Sequence, residues 1–175
     1  SIQTGNPEDF KSYEELREAF YRQLEYIINV KIRGNNVIEK IFAVHMPSPF
    51  MSVLTTGCME SGKDYNAGGS KYNTRYIQIV GIGTVTDCLA SVKYNIYEHK
   101  RFTVKELSDA IDANFEGYEM IHNLVLNHTP KYGNDDEYAD NIMLDVFTNV
   151  RDRIRGRKSV CGGTYQIDML PTTCH

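Results

Sequence analysis

The stretch Gly57–Asp87 reads GCMESGKDYNAGGSKYNTRYIQIVGIGTVTD, and the fold turns on how it is taken. It holds a Cys-Met-Glu triplet, a Gly-Gly loop, a tyrosine-rich run, a short apolar segment and a second glycine turn. Ile77–Val80 reads as the end of a strand, Gly81-Ile82-Gly83 as a tight turn, and Thr86-Asp87 as the start of a helix. That order aims helix N–H groups at a phosphate in dinucleotide-binding folds. Here Val85 and Thr86 stand where the third glycine belongs, and no strand ending in an acidic residue follows at the required spacing. A turn that lets strand and helix approach is the plainer reading. A second reading pairs Cys58 as nucleophile with Glu60 as base, because residues two apart on a strand share a face. Against it, most free cysteines are small buried hydrophobes.

The flanking sequence supplies the elements around this stretch. Ser12 and Glu15 make a capping box, and Leu16, Phe20, Leu24, Ile27 and Ile28 form one apolar face. A helix is expected to run to about Arg33. Gly34-Asn35-Asn36 should interrupt it before a second helix over residues 37–44. Residues 50–55 read as a strand or short buried segment, residues 61–73 as a loop and residues 74–80 as a strand. Asp87 to about His99 reads as a helix. Thr103 with Glu106 forms a second capping box ahead of a stripe of Leu107, Ala110, Ile111 and Phe115. Residues 118–127 follow as another helix, which must end before Pro130. Asn134 is expected to cap a long helix whose first turn, Asp135-Asp136-Glu137, matches the positive end of the helix dipole. The same three acids also have the composition of a metal site. The stripe continues through Ile142, Val146, Val150 and Ile154 to Gly156 as C-cap, and residues 164–170 read as a strand.

Composition narrows the function classes. The chain has 175 residues, 41% hydrophobic and 24% charged, with net charge −4. No basic excess supports nucleic-acid or anionic-membrane binding, and no apolar run has the length of a membrane span. No secretory leader is recognisable in the opening Ser-Ile-Gln-Thr-Gly-Asn-Pro. The four cysteines include no Cys-x-x-Cys pair and read as reduced cytoplasmic thiols rather than a metal or cluster site. Strands separated by helical hairpins indicate an α/β arrangement.

Five segments together resemble one family. They are Tyr65-Asn66-Ala67-Gly68-Gly69-Ser70-Lys71-Tyr72-Asn73, Gly81-Ile82-Gly83-Thr84, residues 130–140 (PKYGNDDEYAD), Gly162-Gly163-Thr164-Tyr165 and Leu170-Pro171-Thr172-Thr173. In order and spacing the chain is similar to the glycyl radical enzymes, the pyruvate formate-lyase relatives. Among their branches it looks most like the arylacetate branch that decarboxylates 4-hydroxyphenylacetate (p-hydroxyphenylacetate) to p-cresol.

The resemblance implies an α/β fold in which residues 1–175 are one part of a ten-stranded barrel, helix-rich with a few short strands. It implies thiyl and glycyl radical chemistry. The radical glycine and the catalytic cysteine are expected outside this chain, because no Arg-Val-x-Gly-Tyr-like loop occurs and Cys58 lies too close to Gly68 to match the family's radical cysteine. By itself this piece would be inactive. Glu60 is the implied catalytic residue, a hydrogen-bond partner and proton acceptor for a phenol whose pKa is near ~10. Glu60, Leu170 and Thr172 are the implied substrate-binding residues, with Leu170 as an apolar wall. Tyr165 is more simply core. The implied partners are an arylacetate substrate, a small iron–sulfur subunit, a radical-SAM activating enzyme carrying its own cluster, and further copies in an oligomer. Three alternatives stay open: a glycyl radical dehydratase or C–N lyase on a small polar substrate, an inert helical scaffold, and a nucleotide-binding oxidoreductase.

Overall fold

A computed structural model describes residues 2–169. Seven α-helices and two β-strands alternate unevenly among these residues: α1 Tyr13–His45, α2 Pro49–Leu54, α3 Cys58–Ser61, β1 Thr74–Gln78, α4 Ile82–Val92, α5 Val104–Asp112, α6 Glu119–Asn127, α7 Glu137–Ile154 and β2 Thr164–Asp168. They fall into two compact units. One takes the chain up to Leu24 together with Gly81–Asn149. The other takes Glu25–Val80 with Val150 onward.

In the first unit the core is built from Phe102, Ala110 and Ile121, with Leu107, Phe115 and Leu124 packed against them. The capping box that starts α5 forms as read. Glu106 N–H donates to Thr103 Oγ1 at 3.1 Å, and Thr103 N–H donates to Glu106 Oε2 at 2.7 Å. Ile111 is not inward as expected but 57% exposed. Helix α4 begins at Gly81, whose φ of +82° suits glycine, and it passes without a break into a π-helical turn over Lys93–Glu98. Helix α7 starts later than expected. Asp135 takes a positive φ of +56°, and Asp136 Oδ1 accepts the Tyr138 N–H at 2.9 Å, so Asp136 and not Asn134 is the cap.

The second unit carries β1 and β2 as a parallel pair, Thr74 opposite Thr164 through Gln78 opposite Asp168. Parallel pairing requires a long crossover between the strands, and residues 79–163 provide it. Along α7, Ile142, Val146, Val150 and Ile154 are all buried, as their periodicity requires. Gly156 closes the helix end with a φ of +79° and donates its N–H to the Tyr165 carbonyl at 2.9 Å.

Two expectations are corrected here. Helix α1 runs through Gly34-Asn35-Asn36 unbroken. A glycine inside a helix costs about 1 kcal/mol and does not by itself end it. Asn36 Oδ1 moreover accepts the Tyr165 hydroxyl at 2.9 Å, so this asparagine is held on the helix. Residues 50–55 are not a strand. Pro49 stands in the first turn of α2, where its missing N–H costs nothing, and Ser52 N–H bonds back to the Ser48 carbonyl at 2.9 Å.

Candidate functional site

The Cys-Met-Glu triplet forms a single helical turn, α3, between two glycines in left-handed conformation, Gly57 at φ +100° and Gly62 at φ +63°. On a helix, residues two apart point to different sides. Cys58 is therefore buried, at 2% exposure, while Glu60 is exposed. Glu60 Oε2 accepts the Gly57 N–H at 2.9 Å, closing the turn as a cap. Burial pushes the Cys58 thiol up, and the Asp64 and Glu60 charges push it the same way. A thiol held protonated is a poor nucleophile, so the Cys58–Glu60 nucleophile–base pair is not built here. Cys58 lies on this helical turn and not on the strand that a shared face with Glu60 requires.

The loop that follows is organised by Asp64. Its Oδ2 accepts from Ser52 Oγ at 2.7 Å and from Ser48 N–H at 2.8 Å, and its Oδ1 accepts the Asn66 N–H at 2.8 Å. The Ser52 bond, helped by the backbone amides, holds the Asp64 carboxyl below its usual range against the opposing pull of burial. Ser52 Oγ also takes the Tyr65 N–H at 2.9 Å, which ties the loop to α2.

The Gly-Gly pair is needed for close approach. A Cβ on Gly68 would sit 2.1 Å from the Cys161 carbonyl oxygen, and one on Gly69 would sit 2.1 Å from that of Lys63. A Cβ on Gly163 would sit 2.0 Å from the Asn73 carbonyl oxygen. Asn73 Nδ2 donates to the Cys161 carbonyl at 2.7 Å. The loop thus clamps onto the turn that enters β2. Asn73 Oδ1 is buried and has no partner among the described residues.

Behind the strand pair, Arg75 Nε lies 2.8 Å from Glu39 Oε1, and Tyr165 is fully buried. Burial raises the Tyr165 phenol, which keeps it a donor to Asn36 rather than a proton-transfer group. Tyr165 is core, as read.

The resemblance leads us to expect Glu60, Leu170 and Thr172 around one cavity. Glu60 is the one of these among the described residues, and it is exposed among them. Leu170 and Thr172 lie outside the described residues, beyond β2, which ends at Asp168. Sequence reasoning missed the Asp64 hub and the Asn73–Cys161 clamp. The signal for the hub was Asp64 itself, two residues before Asn66 in the spacing of an Asx turn.

A separate polar cavity of about 270 Å³ lies in the first unit, lined by Tyr13, Arg17, Lys93, Tyr138, Asn141 and Asp145. Lys93 Nζ stands 4.6 Å from the Tyr138 ring centre and 5.6 Å from that of Tyr13. Burial is the main reason the Tyr13 phenol is pushed up to about 12. No group of three or more His, Cys, Asp or Glu among the described residues is placed to hold a metal. No helix among them is long and apolar enough to cross a membrane.

With this geometry in view, similarity to known proteins becomes informative. The family described as pyruvate formate lyase-like matches residues 1–175. The chain belongs to the glycyl radical enzyme family. Within that family it is 60% identical over 174 residues to trans-4-hydroxy-L-proline dehydratase of Clostridioides difficile, covering 99% of this chain and 22% of the relative. The crystal structure of hydroxyproline dehydratase from C. difficile, with trans-4-hydroxy-L-proline bound, superposes with a TM-score of 0.95 over 99% of this chain and 22% of that one. The 4-hydroxyphenylacetate decarboxylase glycyl radical subunit of C. difficile strain CD196 is 31% identical over 167 residues, covering 82% of this chain and 18% of the relative. The barrel fold class read from the resemblance holds, since the superposed structure is of this family. Similarity favours the dehydratase alternative over the decarboxylase. The chain spans about a fifth of the length of these glycyl radical relatives.

Proposed function

We propose that residues 1–175 are a stretch of the single barrel domain of a glycyl radical dehydratase acting on a small hydroxylated substrate of the trans-4-hydroxy-L-proline type. The observation that carries this reading is the 60% identity over 174 residues to a dehydratase of that substrate. It replaces the arylacetate decarboxylase as the leading reading, because the decarboxylase subunit stands at 31%.

The family's radical centre, on a residue outside this chain, supplies hydrogen-atom abstraction from a substrate carbon. A radical-SAM activating enzyme is the partner that installs it, and the working protein is cytoplasmic. What this chain contributes is a wall that binds, orients and excludes water. Removing water from a substrate requires that a hydroxyl leave as its proton balance is managed by a nearby group. Glu60 fills that role in this proposal. One carboxylate oxygen caps Gly57, and Oε1 is left for a substrate hydroxyl. Leu170 and Thr172, which follow β2, supply an apolar and a hydroxyl contact.

The test is anaerobic incubation of the activated full-length protein with trans-4-hydroxy-L-proline, a vicinal diol and p-hydroxyphenylacetate. The reading expects loss of one water from the hydroxylated ring. Carbon dioxide and p-cresol from the arylacetate, with no dehydration, would restore the decarboxylase.

A further inference from the structure

The polar cavity of about 270 Å³ in the first unit is walled by three elements. Helix α1 brings Tyr13 and Arg17, four residues apart on one face. Helix α7 brings Tyr138, Ile142 and Asp145, also at steps of three and four. Lys93 opens the π-helical turn that follows α4. In such a turn residues five apart come together. Lys93 Nζ accordingly stands 3.6 Å from Oε1 of Glu98.

The acids here are already satisfied. Asp145 Oδ2 accepts the Tyr21 hydroxyl at 2.7 Å and Arg17 Nη1 at 3.3 Å, and its Oδ1 accepts Asn149 Nδ2 at 3.1 Å. Glu98 Oε2 accepts the Tyr138 hydroxyl at 2.9 Å. The cations have donors to spare. Arg17 gives Asp145 a single bond, while a guanidinium carries five N–H donors. Lys93 lies over the Tyr138 and Tyr13 rings at 4.6 Å and 5.6 Å, contacts that use its charge and none of its N–H groups. At 3.6 Å its approach to Glu98 is too long for a hydrogen bond. The Tyr21 and Tyr138 hydroxyls are spent on the acids, which leaves Tyr13 as the phenol that can donate to a guest. Burial keeps that phenol protonated at neutral pH. The lining therefore holds two cations against one occupied acid.

Shape and chemistry narrow the guest. Pockets for drug-sized ligands start at about 300 Å³, so this one suits an anion of a few heavy atoms. The planar fork of a guanidinium matches a carboxylate. Ile142 and the two phenol rings offer an apolar side to a short hydrocarbon tail. We propose that this cavity binds a small monocarboxylate, its charge held by Lys93, Arg17 and the Tyr13 hydroxyl and its apolar end against Ile142. The inference needs no particular reaction of the enzyme.

The test is isothermal titration calorimetry of the full-length protein, without radical activation, using sodium propionate, propionamide and inorganic phosphate. The proposal expects saturable binding of one propionate, none of propionamide, and phosphate at least tenfold weaker. Lys93→Met keeps the stem and removes the charge. Tyr13→Phe keeps the ring and removes the donor. Each should weaken propionate at least tenfold, as loss of a hydrogen bond to a charged group can. Because the guest bridges α1, the π-turn and α7, propionate should also raise the melting temperature of the parent more than that of either variant. If Lys93→Met does not fold, Tyr13→Phe decides alone. Absence of saturable heat up to about 10 mM propionate, ten times a Kd of about 1 mM, overturns the proposal and leaves the cavity to a group of the polypeptide itself. So does binding that survives both substitutions unchanged, which puts the carboxylate elsewhere. Propionamide or phosphate binding as tightly as propionate refutes the carboxylate specificity.

Discussion

Asn73 donates its side-chain N–H to the carbonyl of Cys161 at 2.7 Å, across 88 residues of sequence. This bond ties the loop after α3 to the turn that enters β2. Asn73→Ala removes this part-buried hydrogen bond, a loss of about 0.5–1.5 kcal/mol. Urea denaturation of the full-length protein should show a lower midpoint with an unchanged slope.

Gly163 and Gly62 separate two reasons for glycine. Gly163 has no positive φ, but its Cβ would meet the Asn73 carbonyl oxygen at 2.0 Å. Gly62 has a φ of +63° and open space around it. Gly62→Ala should cost only the left-handed penalty, about 1–2 kcal/mol. Gly163→Ala should cost clearly more, because backbone must move. Melting temperatures of the two variants check the order.

Asp64 makes the loop acid-sensitive. Its hydrogen bonds hold the carboxyl below the ordinary value of 3.8, so the folded state prefers the carboxylate. The stabilisation is present above 3.8 and is lost as pH falls through the lower folded value. Asp64→Asn should be less stable than the parent at neutral pH, and the gap should narrow on acidification. Melting curves on a pH series measure this.

Glu60→Gln distinguishes a cap from a proton-handling group. Glutamine keeps an acceptor for the Gly57 N–H and loses the titratable oxygen. The account expects an unchanged melting temperature and a kcat reduced by 10²–10⁴-fold, the usual range for general acid–base groups. Unchanged turnover leaves Glu60 as a cap alone.

Much of the helical scaffold is legible in the residues. Thr103–Glu106 announces α5 because a capping box is local chemistry, and Ile142 to Ile154 announces α7 because its period persists for about three turns. Elements that depend on distant packing are not legible in this way. Gly34-Asn35-Asn36 imitates a helix break, but the Tyr165 hydroxyl holds Asn36 in place from far along the chain. The mostly apolar stretch Phe50–Leu54 is only five residues long, a length at which strand and helix patterns coincide. The site is legible in part. Glu60 stands out in sequence, but its place on a helical turn is set by the left-handed glycines Gly57 and Gly62 on either side. The Asn73–Cys161 clamp has no local signature at all.

The central claim is that this chain belongs to a dehydratase of a hydroxylated substrate. The most direct measurement compares kcat/KM of the anaerobically activated full-length protein for trans-4-hydroxy-L-proline and for p-hydroxyphenylacetate. The account predicts turnover of the hydroxyproline with release of water and no detectable p-cresol. Release of carbon dioxide and p-cresol from the arylacetate, with the hydroxyproline untouched, would contradict it.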